Sequence, residues 1–289
     1  MRGSLGTLAV LLFETALGGL ALLWLTPLWG VVRPGFFKLT GAVLVACAGL
    51  AWWTARAAHI DVGWTAYEGE PIPFNAVAQA VTLLGVFAAV TAVWYVLVWA
   101  GWAPTPAARP KGEPAPAPAS GGARGRAAHW LGIAALVPGL GAAWLLAQAS
   151  GRPLAGAAAL LTGALFLGAT VDGLLLGHWY LVDRRLTNRP IAVLAAWLLA
   201  GVGAALVSAV LGGDGGGGAV STSLSPLLAV PNLTVYLAIG FAIVVGLLAW
   251  FIRVLVRSGS IQAATGMFYL AVVMAMAAEF SAKVYFFQG

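Results

Sequence analysis

Charged side chains are scarce in this chain. They make up 8% of its 289 residues, whereas 61% of the residues are apolar. A water-soluble domain carries about a quarter of charged residues, so this composition predicts a lipid bilayer as the main solvent. The net charge of +6 is therefore not interpreted as a sign of nucleic-acid binding, and we expect no nucleic-acid partner. The distribution of the basic residues over the loops carries more information.

Cysteine and histidine are also scarce, with one and three residues. Cys47 lies within a long apolar run, cannot form an internal disulfide and is interpreted as a small packed residue. Three histidines without helical pairing disfavour a multi-haem or copper-centred subunit. No His and Glu have the spacing of a zinc protease, and no serine lies in a nucleophile elbow. We therefore predict no metal site and no catalytic residue of a hydrolase.

Long apolar runs are abundant. Eight of them approach or exceed the roughly 20 residues that a helix needs to cross the hydrocarbon core, and their unbroken apolar character favours helices over a β-barrel. The first run lacks a signal-peptide cleavage site, so we expect a retained helix. The predicted fold is an all-α polytopic integral membrane protein with eight transmembrane helices, at about 5–29, 36–57, 75–101, 128–149, 154–181, 190–211, 230–256 and 260–286.

The basic residues fall mainly on one side of these spans. Eleven of the 15 Lys and Arg residues lie in the loops after the first, third, fifth and seventh spans, and the others are Arg2, Arg56, Arg152 and Lys283. The positive-inside rule makes the basic side cytoplasmic, so both termini are predicted on the outer side. The predicted location is a bacterial-type inner (cytoplasmic) membrane with multiple crossings.

Composition divides the chain into a three-helix membrane segment (1–102), a disordered Ala/Pro-rich cytoplasmic linker (103–127) and a five-helix membrane segment (128–289). The outer loop 58–74 is interpreted as an ordered cap or as ordinary interfacial packing of its aromatic residues. The glycine-rich run Gly212–Gly218 predicts a flexible outer loop. Five glycines within spans are expected to let helices approach closely, namely Gly18, Gly19, Gly163, Gly168 and Gly201.

Glu14, Asp172, Glu279 and Lys283 lie inside predicted spans, where a charge is costly enough to suggest a function. Glu279 and Lys283 are four residues apart with the acid first. We predict an ion pair between them, and an outward proton or ligand site is the alternative. Glu14 and Asp172 have no partner nearby in sequence and must face the bundle interior or a watery cavity. For Glu14, a structural hydrogen bond between helices and a role in a proton relay or quinone contact both stay open.

The stretch 172–185 closes a long apolar run with aromatic and basic residues at the predicted cytoplasmic rim. A quinone head group needs a hydrogen-bond donor beside aromatic walls, which this rim offers; an interfacial belt is the plainer interpretation. A third is haem b held by His129 and His178, because haem iron accepts axial imidazole. The residues predicted for a quinone or proton pathway are Glu14, Asp172, His178, Trp179, Tyr180 and Arg184.

The last span reads GMFYLAVVMAMAAEFSAKVYFF over residues 266–287. With eight helices, both ends outside, few histidines and isolated acids, the chain resembles the membrane anchor subunits of polysulfide- and dimethyl-sulfoxide-reductase-type complexes. The resemblance covers the architecture and this span, where Glu279 and Lys283 match by position. It implies a subunit without a cofactor of its own that binds quinone and docks an iron–sulfur protein.

The sequence therefore predicts an integral membrane subunit of a respiratory or other electron-transfer complex. Such a subunit would anchor partner subunits and contact quinone, as a non-catalytic or quinone-site part of an oxidoreductase. A proton-coupled secondary transporter that uses Glu14 and Asp172 is one alternative, although no internal repeat supports it. A structural or assembly subunit without a ligand is the other.

Overall fold

The protein was analysed as a computed structural model that describes residues 4–62, 74–106, 122–183, 186–212, 233–284 and 286. Within these ranges the chain forms nine α-helices and no strand. The helices are α1 (Ser4–Leu25), α2 (Pro34–Val62), α3 (Phe74–Trp99), α4 (Gly122–Ala134), α5 (Leu136–Ala149), α6 (Pro153–Val182), α7 (Arg189–Gly212), α8 (Leu233–Arg257) and α9 (Ile261–Lys283).

Eight helical stretches among the described residues are long and apolar enough to cross a membrane. They match the eight predicted spans, so the all-helical, polytopic membrane fold is confirmed. One stretch, Gly122–Ala149, contains both α4 and α5, which are separated at Ala135. Pro138 explains the break, because proline lacks the backbone N–H and its ring clashes with the carbonyl four residues earlier. Helix α1 ends at Leu25, before the predicted 29, because Pro27 disfavours helical backbone in the residue before it.

Helix α4 begins at Gly122, so the predicted disordered linker 103–127 is wrong in its last residues, 122–127. Arg124 and Arg126 are exposed on this first part of α4. Residues 107–121 of the predicted linker lie outside the described residues. So do residues 63–73 of the predicted cap and residues 213–218 of the glycine-rich loop, and these predictions stay predictions.

Two short turns join neighbouring spans through a glycine with positive φ, a backbone conformation that glycine adopts without a steric penalty. Gly151 (φ 75°) lies between α5 and α6, and Gly259 (φ 79°) lies between α8 and α9. The turn at Ser150 and Gly151 makes α5 and α6 an antiparallel pair of neighbouring helices. It also places the start of α6 beside the end of α5, on the predicted outer side.

The helices share one hydrophobic core, in which α1 and α6 are central. A Cβ atom at Gly18 would lie 1.7 Å from the carbonyl oxygen of Ala164, and one at Gly168 would lie 2.3 Å from the carbonyl carbon of Gly18. The two backbones therefore touch, as small residues at helix contacts permit. Close contacts also surround the other glycines predicted for helix approach, Gly19, Gly163 and Gly201.

The two predicted membrane segments pack against each other, because α1 contacts α6 and α3 contacts α5. Cys47 is half-buried against the common core, in line with its interpretation as a small packed residue. Many large apolar side chains on the outside of the bundle are exposed, such as Trp53, Val96 and Leu247. A surface of this kind fits a lipid surrounding.

Candidate functional site

A cluster of three buried ionisable side chains joins α1, α6 and α9. The Lys283 Nζ atom lies 2.7 Å from Glu14 Oε1 and 2.8 Å from Glu279 Oε2. It also donates to the carbonyl oxygen of Ala159 on α6 at 3.0 Å. The ammonium group thus uses all three of its donors. We call Glu14, Glu279 and Lys283 the acid–lysine cluster; it lies near the end of α9 and the start of α6, in the predicted outer half of the bundle.

The acid–lysine cluster holds two carboxyl groups and one ammonium group. Glu14 is completely buried, and the side chains of Glu279 and Lys283 are 6% and 3% exposed. If both acids are ionised, the cluster carries a net charge of −1 in a medium where an uncompensated charge costs several kcal/mol. One proton shared between the two carboxyl groups makes it neutral, so the cluster is a chemically reasonable place to take up and release a proton.

Glu14 is held against a glycine. A Cβ atom at position 163 on α6 would lie 2.6 Å from Glu14 Oε1 and 2.9 Å from Glu14 Oε2, so only glycine leaves room for the carboxyl group. Glu14 Oε2 has no hydrogen-bond partner among the described residues. This oxygen is a buried free position of the cluster, whereas Glu14 Oε1 accepts a hydrogen bond from Lys283.

Asp172 on α6 is a second buried acid. Its side chain is completely buried, and neither carboxyl oxygen has a hydrogen-bond partner in the described part of the chain. The carboxyl group lies between α6, α1 and α2, because a Cβ atom built at Gly19 would meet both Asp172 Oδ1, at 3.2 Å, and Leu44. An unpaired carboxylate is costly in such a place, so the neutral acid is the form that fits this environment.

The two acids lie on either side of a close backbone contact between α1 and α6. Glu14 precedes Gly19 by five residues on α1, which corresponds to about 8 Å along the helix axis. Asp172 lies beside Gly19. The backbone of Gly18 touches those of Ala164 and Gly168, and this contact lies between the level of Glu14 and the level of Asp172. The structure therefore does not join Glu14 and Asp172 into one hydrogen-bonded path.

The predicted quinone rim is only partly assembled. His178 is exposed, and Trp179 packs on α2, where its Cη2 atom would lie 2.3 Å from a Cβ at Gly35. The hydroxyl group of Tyr180 donates to the carbonyl oxygen of Thr187 and is thereby occupied. Arg184 lies outside the described residues. Among the residues predicted for this rim, Trp179 has a buried donor atom, Nε1, that lacks a hydrogen-bond partner in the described ranges.

The two histidines of the predicted haem pair have different surroundings. The His129 ring on α4 stacks edge-on against Trp24 with ring centres 4.9 Å apart and lies 5.9 Å from Trp29. The imidazole of His178 is exposed on α6. The described residues do not test the pairing of these two imidazoles on one haem, which stays a prediction. The described residues also contain no group of three or more His, Cys, Asp or Glu side chains able to hold a metal ion.

A second cluster, of aromatic residues, was not anticipated. Trp24 lies at the centre, with ring centres 5.2 Å from Trp29, 5.8 Å from Trp94 and 4.9 Å from His129. We call these four residues the aromatic cluster; it joins the end of α1 to α3 and α4 on the predicted cytoplasmic side. The sequence contained one signal for it, the repeated occurrence of Trp near the ends of spans, but that pattern is also typical of an ordinary interfacial belt.

Comparisons with known proteins add no identification. No protein-family model, no curated protein and no solved structure matches the chain.

Sequence reasoning paired Lys283 with Glu279 and left Glu14 without a partner. The structure adds the contact between Lys283 and Glu14, which are 269 positions apart in the sequence. A signal for it was present, since Lys283 and Glu14 are oppositely charged side chains inside predicted spans and each needs a partner there. The sequence alone does not show that α1 packs beside α9, and this packing brings the two side chains together.

Proposed function

We propose that this chain is a proton-handling membrane subunit of an electron-transfer complex, in which it anchors partner subunits and contacts quinone. The observation that carries the proposal is the unequal charge of the acid–lysine cluster, two acids to one base, buried where the bundle approaches its predicted outer face. Quinone chemistry couples electrons to protons, and a buried carboxyl group that alternates between two charge states is suited to that coupling.

The geometry gives each residue of the cluster a role. Glu14 is the proton-exchanging group, because its Oε2 atom is a fully buried carboxyl oxygen without a partner among the described residues. Lys283 holds the ionised form of either acid and is itself fixed by the carbonyl oxygen of Ala159. Glu279, whose side chain is slightly exposed, connects the cluster to the outer side. In this proposal the membrane is the inner membrane of a bacterial-type cell, as the positive-inside rule predicts.

The partner subunits can be tested by isolation. We expect the tagged full-length chain, extracted with a mild detergent from the cell that naturally makes it, to carry an iron–sulfur protein. The absorption spectrum should show that protein, and solvent extraction should yield quinone. A chain that is isolated alone, with neither a redox partner nor a quinone, would contradict the electron-transfer proposal.

The proton role can be tested in the same preparation. Glu14→Gln keeps a hydrogen-bond acceptor for Lys283 but cannot exchange a proton, so the complex should assemble while quinol-linked proton movement slows by about a hundredfold. Asp183→Asn is the matched control, because Asp183 forms an ion pair with Arg33 elsewhere in the bundle and its loss should leave the rate unchanged. Equal rates in the wild type and Glu14→Gln would refute a proton role for the cluster.

A proton-coupled secondary transporter is the second candidate. It is favoured by one observation, the placement of Glu14 and Asp172 at different levels on either side of the contact between Gly18 and Gly168. A transporter that alternates between two open sides needs an acid reachable from each side and a closed contact between them. Substrate uptake into vesicles that depends on a proton gradient, and that both Glu14→Gln and Asp172→Asn abolish, would support it. Vesicles without such uptake, together with a copurifying redox partner, would exclude it.

A further inference from the structure

Donor atoms without partners are concentrated in and beside the aromatic cluster. Trp24 Nε1, Trp94 Nε1, His129 Nδ1 and Thr26 Oγ1 are all buried, and none has a hydrogen-bond partner among the described residues. Trp94 is completely buried and Thr26 is 1% exposed. Buried polar groups in folded proteins are nearly always hydrogen-bonded, so several unpaired ones in one place need an explanation.

The chemistry of these atoms indicates what would pair with them. An indole N–H can only donate, and a threonine hydroxyl can donate as well as accept. The groups are neutral side chains, unlike the ammonium and guanidinium groups that usually bind anions. A partner that satisfies them therefore presents acceptor atoms and need not carry a charge. The indole faces around Trp24 in addition favour a flat ring, because aromatic rings pair by stacking and edge contacts.

The cluster is also close to the surface of the bundle on the predicted cytoplasmic side. Trp130, which neighbours His129 with ring centres 5.8 Å apart, is 65% exposed, and Leu25, next to Trp24, is 59% exposed. The edge of the cluster at His129 therefore lies next to the exposed surface of the bundle.

We propose that Trp24, Trp94 and His129 form the quinone head-group site of this protein. The proposal rests on the proposed function and moves the quinone contact from the predicted rim of His178 and Tyr180 to α1, α3 and α4. In this site the ring lies against indole faces, and its carbonyl oxygens accept hydrogen bonds from Trp24 Nε1, Trp94 Nε1 and His129. The acid–lysine cluster is in the predicted outer half of the bundle, so quinone binding and the outer proton site are at opposite ends.

The test is a binding isotherm, measured by titration calorimetry on the purified full-length chain in detergent. The probes are ubiquinone-1 and menadione, which represent benzoquinones and naphthoquinones. Trp94→Phe keeps an aromatic ring but removes a hydrogen-bond donor. Quinone binding should therefore weaken about fivefold, as expected for the loss of one neutral hydrogen bond. Trp53→Phe is the matched control, because Trp53 is 61% exposed on α2, and its affinity should equal that of the wild type.

Three outcomes would overturn the site: no saturable binding of either quinone, equal binding by Trp94→Phe and Trp53→Phe, or weakening by Tyr180→Phe in place of Trp94→Phe. If Trp94→Phe does not fold, His129→Phe at the partly exposed end of the cluster carries the same test. These results are independent of copurification and of Glu14→Gln. A proton effect of Glu14→Gln with unchanged binding by Trp94→Phe would remove this site and leave the proposed function in place.

Discussion

Lys283 and Glu14 form an ion pair of 2.7 Å although 269 positions of the chain separate them. The same ammonium group binds Glu279 on its own helix and a backbone carbonyl oxygen on α6. Three helices thus meet at one side chain. The acid–lysine cluster therefore has two consequences that can be measured separately, one for stability and one for proton exchange.

Removal of the ammonium group should destabilise the bundle strongly. Lys283→Met keeps the length and apolar character of the side chain but leaves two carboxyl groups facing each other without a cation. Breaking a buried ion pair in this way costs about 3–5 kcal/mol, to be measured as the free energy of unfolding in detergent micelles. Lys38→Met is the control: Lys38 is half-buried with Nζ 4.4 Å above the Trp99 ring, a contact worth about 1 kcal/mol. Similar losses in both variants would contradict the role of Lys283.

The space at Gly163 can be tested with a single methyl group. Gly163→Ala places Cβ 2.6 Å from Glu14 Oε1, so the carboxyl group has to move away from Lys283, and we expect a loss of about 1–3 kcal/mol. Gly203→Ala on α7 meets no atom within 4 Å. The control should be neutral or slightly stabilising, because alanine favours helix over glycine by up to about 1 kcal/mol. The measurement is the thermal unfolding of both variants and of the wild type. An unfolding temperature for Gly163→Ala as high as that of Gly203→Ala would refute the close contact between Gly163 and Glu14.

Asp172 and Glu14 should respond differently to neutral replacements. Asp172 has no partner among the described residues, so Asp172→Asn removes no hydrogen bond that the structure shows and should change the free energy of unfolding by less than about 1 kcal/mol. Glu14→Leu removes a charge-assisted hydrogen bond of Lys283 but leaves its neutral pair with Glu279, so it should cost about 1.5–3 kcal/mol. Denaturant unfolding measures both. A large loss for Asp172→Asn would mean that the carboxyl group has bonds the described structure does not contain.

The hydroxyl group of Tyr180 should contribute to stability and not to ligand binding. Its hydrogen bond to the carbonyl oxygen of Thr187 ties the end of α6 to the segment before α7. Tyr180→Phe should therefore cost about 0.5–1.5 kcal/mol, measured by thermal unfolding. Tyr236→Phe, at a side chain that is 64% exposed on α8, is the matched control and should be close to neutral. Equal unfolding temperatures would show that the Tyr180 bond contributes nothing.

The sequence predicted the membrane fold well, because continuous apolar runs of span length have few other physical solutions. It also predicted the close approach of helices at Gly18 and Gly168, since glycine within a span has few other uses. The break at Ala135 was missed, although Pro138 is a direct local cause for it. The start of α4 at Gly122 was missed for another reason: the alanines and arginines of this stretch favour a helix more than their proline-rich neighbours suggest.

The candidate site was only partly predictable. Glu14, Asp172, Glu279 and Lys283 stand out because a bilayer makes ionisable groups costly, and the i, i+4 pair follows from helix geometry alone. Contacts between helices are different, because span composition does not determine which helices are neighbours. For this reason the pairing of Glu14 with Lys283 and the gathering of Trp24, Trp94 and His129 emerged only from the structure.

The central claim is that the acid–lysine cluster holds one exchangeable proton. Difference infrared spectroscopy of the purified chain, recorded between acidic and alkaline solution, measures it directly through the C=O stretch of a protonated carboxyl group. The wild type and Asp183→Asn should show this band. Glu14→Gln should lack the one band that belongs to the cluster, because Glu279 and Lys283 alone form a neutral pair with no proton to release, whereas the C=O bands of Asp172 and of the other acids outside the cluster should remain. Identical difference spectra for the wild type and Glu14→Gln would contradict the account.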